Sequence, residues 1–272
     1  MSKRNTQQAK TAARERLRAE RERQAKKDKA RRQAIVGVSI VGVLAVAAGA
    51  GFLVMQANKP TAWEAAKEAK LVAPANTSGK NGTTVVVGKA GAKKTLELYE
   101  DPRCPICASF EQGAGEQVKK DVADGKYKVQ FFGASFIDNA ASGEGSKNAL
   151  SALGAALNVS DDAFLDYKSA LYSAKNHPEE NDDKFKDDAA LIKIADEVPE
   201  LKGNKKFQKA VEDGTFDKWA LEMSAAFDKS GVSGTPTLKM DGKKLEVDFN
   251  GQKGTPMTAE QLTQAVDKAL KA

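Results

Sequence analysis

Cys104 and Cys107 are the only cysteines in the 272-residue chain, and they stand as Cys-Pro-Ile-Cys. Two thiols three positions apart fall within one helical turn and can close into a disulfide. A strand-like run precedes the pair and a helix-like run follows it, so the first sulfur sits where a helix begins. The positive end of the backbone dipole favours its thiolate there. Thiol–disulfide exchange is the chemistry such a pair supports. A purely stabilising role fits poorly, because so small a loop hardly constrains the unfolded chain. A structural zinc site takes about four ligands, whereas the one histidine, His177, lies far away before Pro178. No metal is expected, and no cofactor beyond a redox-active Cys104–Cys107 disulfide.

The elements around the pair follow from hydrophobic spacing. Residues 83–87 form a β-branched run, and residues 88–94 a turn. Residues 95–99 alternate, with Leu96 and Leu98 sharing a face. Asp101-Pro102-Arg103 leads into a helix over 104–122, which Asp124-Gly125 stops. Residues 127–132 make a third strand. From 139 to 230 apolar residues recur at helical spacing: Ala149, Leu150, Leu153 and Leu157, then Phe164, Tyr167, Leu171 and Tyr172, then Leu191 and Ile194, then Trp219, Met223 and Phe227. The expectation is a block of roughly four helices. Residues 237–240 then form a strand, Asp241-Gly242 a hairpin turn and 245–249 its partner. Thr258, with Gln261 three residues on, opens a final helix as a capping box.

Charge is unevenly placed. Residues 1–32 hold thirteen basic and four acidic side chains, leaving thirty basic against thirty-three acidic in the rest. The overall +6 therefore describes a tail, and nucleic-acid binding by the folded part is not expected. Residues 35–55 carry no charge and are long enough to cross a hydrocarbon core of about 30 Å. The basic segment before them places the N-terminus in the cytoplasm and the remainder outside. A cleavable signal peptide is the competing possibility. The apolar run exceeds the usual core of about 7–15 residues, so a retained anchor is expected. The organisation is then a basic cytoplasmic tail (1–33), a transmembrane helix (34–56), a linker (57–82) and an extracytoplasmic domain (83–272) with a helical insertion at about 139–230. Trp63, in the linker, packs on the domain or lies at the membrane surface.

Strand, strand, helix, strand, helical block, hairpin, helix is an order that resembles the thioredoxin fold with a helical domain inserted after the third strand. That is the α/β arrangement of the DsbA-like thiol–disulfide oxidoreductases, here as a membrane-anchored bacterial member. The stretch LELYEDPRCPICASFE is similar to the family's active-site segment: an apolar strand, Asp101 three residues before the first cysteine, Cys-Pro-x-Cys, then Phe110-Glu111. GVSGTPT at 231–237 is similar to a second signature, in which the Thr-Pro bond is cis.

The resemblance implies roles. Cys104, exposed at the helix start, is the attacking or attacked sulfur, and Cys107 resolves the mixed disulfide. Pro105 and Ile106 lie between them. Pro236 (cis) faces the cysteines, and Thr235 pairs its backbone with an extended substrate strand. Glu111 lies four residues after Cys107, on the cysteines' side of the helix. It either relays the proton of Cys107 or is an ordinary solvated helix carboxylate. The sequence departs from the family twice. A buried acid often stands six residues before the first cysteine; Leu98 occupies that place, and Glu97 faces the other way. Ile106 replaces the histidine of the strong oxidants, so Cys104 should be less acidic and the disulfide less oxidising than in those members.

The function expected is a membrane-tethered enzyme that forms disulfides in exported unfolded or reduced proteins. It would be recycled by a membrane redox partner of the DsbB or vitamin-K-epoxide-reductase type. The alternatives are an extracytoplasmic reductase or isomerase, and a non-catalytic thioredoxin-fold binding module with an inert bridge.

Overall fold

Alternating apolar residues in β2 (Thr95–Glu100) and β3 (Lys128–Gly133) put Leu96, Leu98, Val129 and Phe131 on one buried face. The two strands run parallel, with Leu98 beside Phe131. The computed structural model describes residues 10, 12–33, 61–249 and 251–271. β1 (Val85–Val87) flanks β3 antiparallel, and β4 (Thr237–Met240) flanks β2 antiparallel. β5 (Lys243–Lys244) closes a five-stranded sheet of order β1-β3-β2-β4-β5. Between β2 and β3 run α3 (Pro105–Phe110), a π-helical turn (Glu111–Gly115) and α4 (Glu116–Asp124).

The connection from β3 to β4 is the helical block. It contains α5 (Ile137–Ala140), α6 (Gly145–Leu157), α7 (Asp161–Tyr172), α8 (Asp188–Ala195), α9 (Lys205–Glu212) and α10 (Asp217–Asp228). That is five helices of eight or more residues where spacing suggested about four. α9 is the addition. Asn204 caps it by accepting from the Lys206 and Phe207 amides, and only Phe207 and Val211 are buried along it. So short a stripe is a weak periodic signal. α7 lies against the sheet, with the Phe164 and Phe131 rings 5.4 Å apart edge to face.

The hairpin after β4 differs from expectation. Asp241 and Gly242 both have positive φ, which closes a two-residue turn and fixes Met240 opposite Lys243. The partner strand therefore starts at 243 and not at 245. β6 (Val247–Phe249) then pairs with β7 (Gln252–Gly254) in a separate ribbon. α11 (Ala259–Leu270) has the Thr258 hydroxyl accepting from Gln261 N, but the Gln261 side chain accepts from Met257 N.

The chain divides into two compact units, Met1–Thr61 and Ala62–Ala272. In the first, residues 12–33 form the exposed helix α1. The span expected at 34–56 lies outside the described residues, and no helix among those described is long and apolar enough to cross a membrane. The stretch expected as a linker is, from Ala62 on, part of the second unit. α2 (Ala62–Glu68) buries Trp63 and Ala66, and Lys147 Nζ sits 5.3 Å above the Trp63 ring. Lys218 donates to the Lys67 carbonyl, and Trp219 donates to Gly82 O at 2.7 Å. The apolar face of α2 is stabilised by this burial, which a solvated tether would forgo.

Candidate active site

α3 begins where β2 ends. Cys104 is its N-cap with extended backbone, Pro105 takes the first helical position, and Ala108 N donates to Cys104 O at 3.1 Å. Pro105 is half-buried and Ile106 is 56% exposed beside the sulfurs. The approach loop is pinned from one residue. Asp101 accepts from Arg103 N and Ile137 N, both at 3.0 Å, and from the Ser146 hydroxyl at 2.6 Å. Its carbonyl accepts from Cys104 N at 2.9 Å. Burial lifts the Asp101 carboxyl to about 6, with those donors opposing. Arg103, fully buried, pairs with Asp138 at 3.0 Å and Asp183 at 3.1 Å and donates to Glu180 O. The helical insertion thus holds the residue next to Cys104. His177 Nε2 donates to Pro102 O at 3.0 Å, a bond that ties the insertion to the approach loop.

The two thiols are free in this structure, and both are buried. Cys104 retains 6% exposure and Cys107 none. The exposed position expected for Cys104 is corrected: packing with Ile137 and Tyr172 and the loop at Thr235 covers most of it. The Cys104 thiol donates to Thr235 O at 3.7 Å. The Thr235–Pro236 peptide is cis, and Pro236 is buried. The site therefore brings Cys104, Cys107 and Thr235 together.

The sulfurs differ in acidity. A hydrogen bond from the Cys107 thiol is the largest influence lowering Cys104 to about 6. Burial opposes it, and the Thr235 hydroxyl and the backbone at Ile106 and Cys107 assist. Cys107 is pushed well above the ordinary thiol value, first by burial, then by its bond to Cys104 and the charge of Glu100.

Beneath the pair lies a buried ion triad. Lys168 Nζ, on α7, is 2.9 Å from Glu100 Oε2 and 2.5 Å from Glu111 Oε1. Glu111 is buried, so its solvated alternative is excluded. The π turn folds it inward, and Gly115 leaves it room: a Cβ there would stand 2.8 Å from Glu111 Oε2. Burial raises Glu100 well above an ordinary carboxylate, with Glu111 adding and Lys168 opposing. Lys168 stays up because two carboxylates outweigh its burial. A proton on Glu100 makes the triad neutral, the arrangement of lowest cost away from water.

Glu100 and Lys168 were not among the residues singled out from the sequence. The signal for Glu100 was the alternation itself: Leu96 and Leu98 continue to Glu100 on the core face. For Lys168 it was the four-residue spacing with Phe164 and Tyr172, which sets a lysine inside an apolar stripe. Glu97 instead bonds the Tyr99 hydroxyl at 2.6 Å, away from the sulfurs.

A family model described as Thioredoxin matches residues 80–268. The serine/threonine-protein kinase PknE of Mycobacterium tuberculosis is 26% identical over 155 residues, 56% of this chain and 27% of that protein. The chain thus spans about a quarter of the curated relatives it matches. Among solved structures, the reduced disulfide oxidoreductase DsbG of M. tuberculosis superposes with a TM-score of 0.55 at 26% identity, covering 72% of this chain and 86% of that one. Oxidised DsbA of the same organism gives 0.56 at 24% identity, covering 70% and 93%, a likeness of fold.

Proposed function

The chain belongs to the thioredoxin family, and from that membership and its asymmetric thiol pair we propose that it is a protein thiol–disulfide oxidoreductase that forms disulfides in exported proteins. The observation that carries this is the split between the sulfurs: Cys104 held near 6 at a helix start beside Thr235, Cys107 held protonated beneath it. In the forward reaction a client thiolate attacks Cys104 Sγ of the oxidised enzyme. The Cys104–Cys107 bond breaks, a client–Cys104 disulfide forms, and the electron pair leaves on Cys107. Glu100 supplies the proton that Cys107 takes up. A second client thiolate then attacks the client sulfur and expels Cys104 as a thiolate. The client loses two electrons and the enzyme pair gains them.

The tether belongs to the same proposal. The uncharged run 35–55 after a basic tail supports a single-pass anchor with the domain outside. An enzyme so placed needs a membrane oxidant of the DsbB or vitamin-K-epoxide-reductase type to restore its disulfide. Unfolded clients would lie along the Thr235 backbone beside exposed Ile106.

Trapping tests the proposal. Cys107→Ala should leave Cys104 joined to exported proteins in adducts that dithiothreitol releases, and Cys104→Ala should leave none. Absence of adducts would favour a closed binding module. A potential near about −270 mV instead of about −120 mV would assign the pair to reduction.

A further inference from the structure

Tyr172 ends α7 with no exposure, and its ring packs in one cluster with Cys104, Cys107, Ala108 and Ile137. Among the described residues its hydroxyl has no hydrogen-bond partner. A buried orphan hydroxyl carries a desolvation cost, and a phenylalanine would fill the same space without it. The rest of the residue is well held. His177 stacks on the ring at 5.7 Å, Lys168 Nζ lies 5.5 Å from its centroid, and Gln112 donates to its carbonyl at 2.8 Å. The dithiol form therefore keeps an unpartnered donor on a ring that packs in the same cluster as the buried sulfur.

Resting on the exchange reaction above, we propose that the Tyr172 hydroxyl donates a hydrogen bond to Cys107 Sγ as that sulfur acquires negative charge. When the Cys104–Cys107 bond breaks, the electron pair goes to Cys107, which is shut away from water. The phenol supplies a bond that strengthens as charge builds on the leaving sulfur, so it favours the transition state over the disulfide reactant, and the neutral thiol does not receive it. It gives up no proton. Burial and the surrounding carboxylates hold the phenol protonated, and Glu100 remains the proton source. In the reverse direction the same bond steadies Cys107 as it attacks Cys104 Sγ.

Tyr172→Phe in the full chain is the test, with reduced glutathione as the probe thiol and the oxidised protein as the reactant. The rate at which glutathione opens the disulfide should fall about tenfold, as expected for one lost hydrogen bond to a charged group. The Cys104 alkylation midpoint should not move, and the melting temperature should stay level or rise. An unchanged opening rate would overturn the proposal. So would a lower melting temperature, which would mean that the hydroxyl already has a partner, or a shifted Cys104 midpoint, which would mean that the effect travels through packing. Inertness of the wild-type disulfide to glutathione would instead overturn the exchange reaction itself, and that is read without the variant.

Discussion

Lys168 Nζ stands 2.9 Å from Glu100 Oε2 with the two side chains 5% and 0% exposed. Each comes from a different layer: Glu100 from the end of β2, Lys168 from the insertion helix α7. Glu111 joins them from the π turn after α3. The insertion therefore contributes the cation that makes two carboxylates tolerable under the redox pair. Such an arrangement adds little net stability, because desolvation offsets most of the attraction.

Lys168→Met should be strongly destabilising, by about 3–5 kcal/mol, because it leaves two acids buried without their counter-ion. Combining it with Glu100→Gln and Glu111→Gln should recover most of the loss. The single variant should also be relatively more stable in acid. Its native state keeps a proton on Glu100 that the unfolded chain releases near the ordinary 4.5, so stability falls as pH rises above that value. Urea melts from pH 4 to 8 read all of this; a flat, small penalty would refute it.

Cys104 fixes a second pH dependence. Its thiol titrates at about 6 in the folded dithiol against an ordinary 9.0. Between those values the native state binds fewer protons than the unfolded state, so stability rises with pH. That contribution is complete above about 9 and is lost as pH falls through about 6. The disulfide form has no such group. The stability gap between reduced and oxidised protein should therefore follow this curve, and iodoacetamide should label Cys104 with a midpoint near 6. A midpoint of about 8 or higher would leave Cys104 an ordinary thiol.

The legible parts were those written in short-range spacing. Leu96 and Leu98, the Cys-Pro-Ile-Cys helix start and the Asp241-Gly242 turn each carry their signal within a few residues. What was not legible depends on contacts between distant segments. Arg103 meets Asp138 and Asp183 only because the insertion folds back on the loop. The cover over Cys104 comes from Ile137, Tyr172 and Thr235, all remote in sequence. Glu100 was accessible to sequence reasoning one residue past the boundary drawn for its strand.

Trp63 sets the practical boundary of the domain. A chain cut at Thr83 loses the buried indole and the α2 contacts that include the Lys67–Lys218 bond. It should be less stable than one beginning at Thr61 by at least the cost of Trp63→Ala, about 3 kcal/mol. Equal denaturation midpoints for the two truncations would show that 62–82 is only a tether.

Ile106→His tests whether the exposed position between the cysteines limits oxidising power. Ile106 is 56% exposed and adds only its backbone amide to the thiolate. A histidine there adds a ring N–H donor and, when protonated, a positive charge beside Cys104. Both favour the thiolate, so the alkylation midpoint should drop below 6. Each unit of drop stabilises the reduced pair by about 1.4 kcal/mol, which raises its potential by about 30 mV. Oxidation of a reduced test protein should quicken, since the better leaving sulfur is the one expelled in the last step. The substituted side chain is exposed, so the melting temperature of the disulfide form should hold steady. A lower midpoint without a higher potential would mean that the disulfide form gains as much from the new ring as the thiolate does.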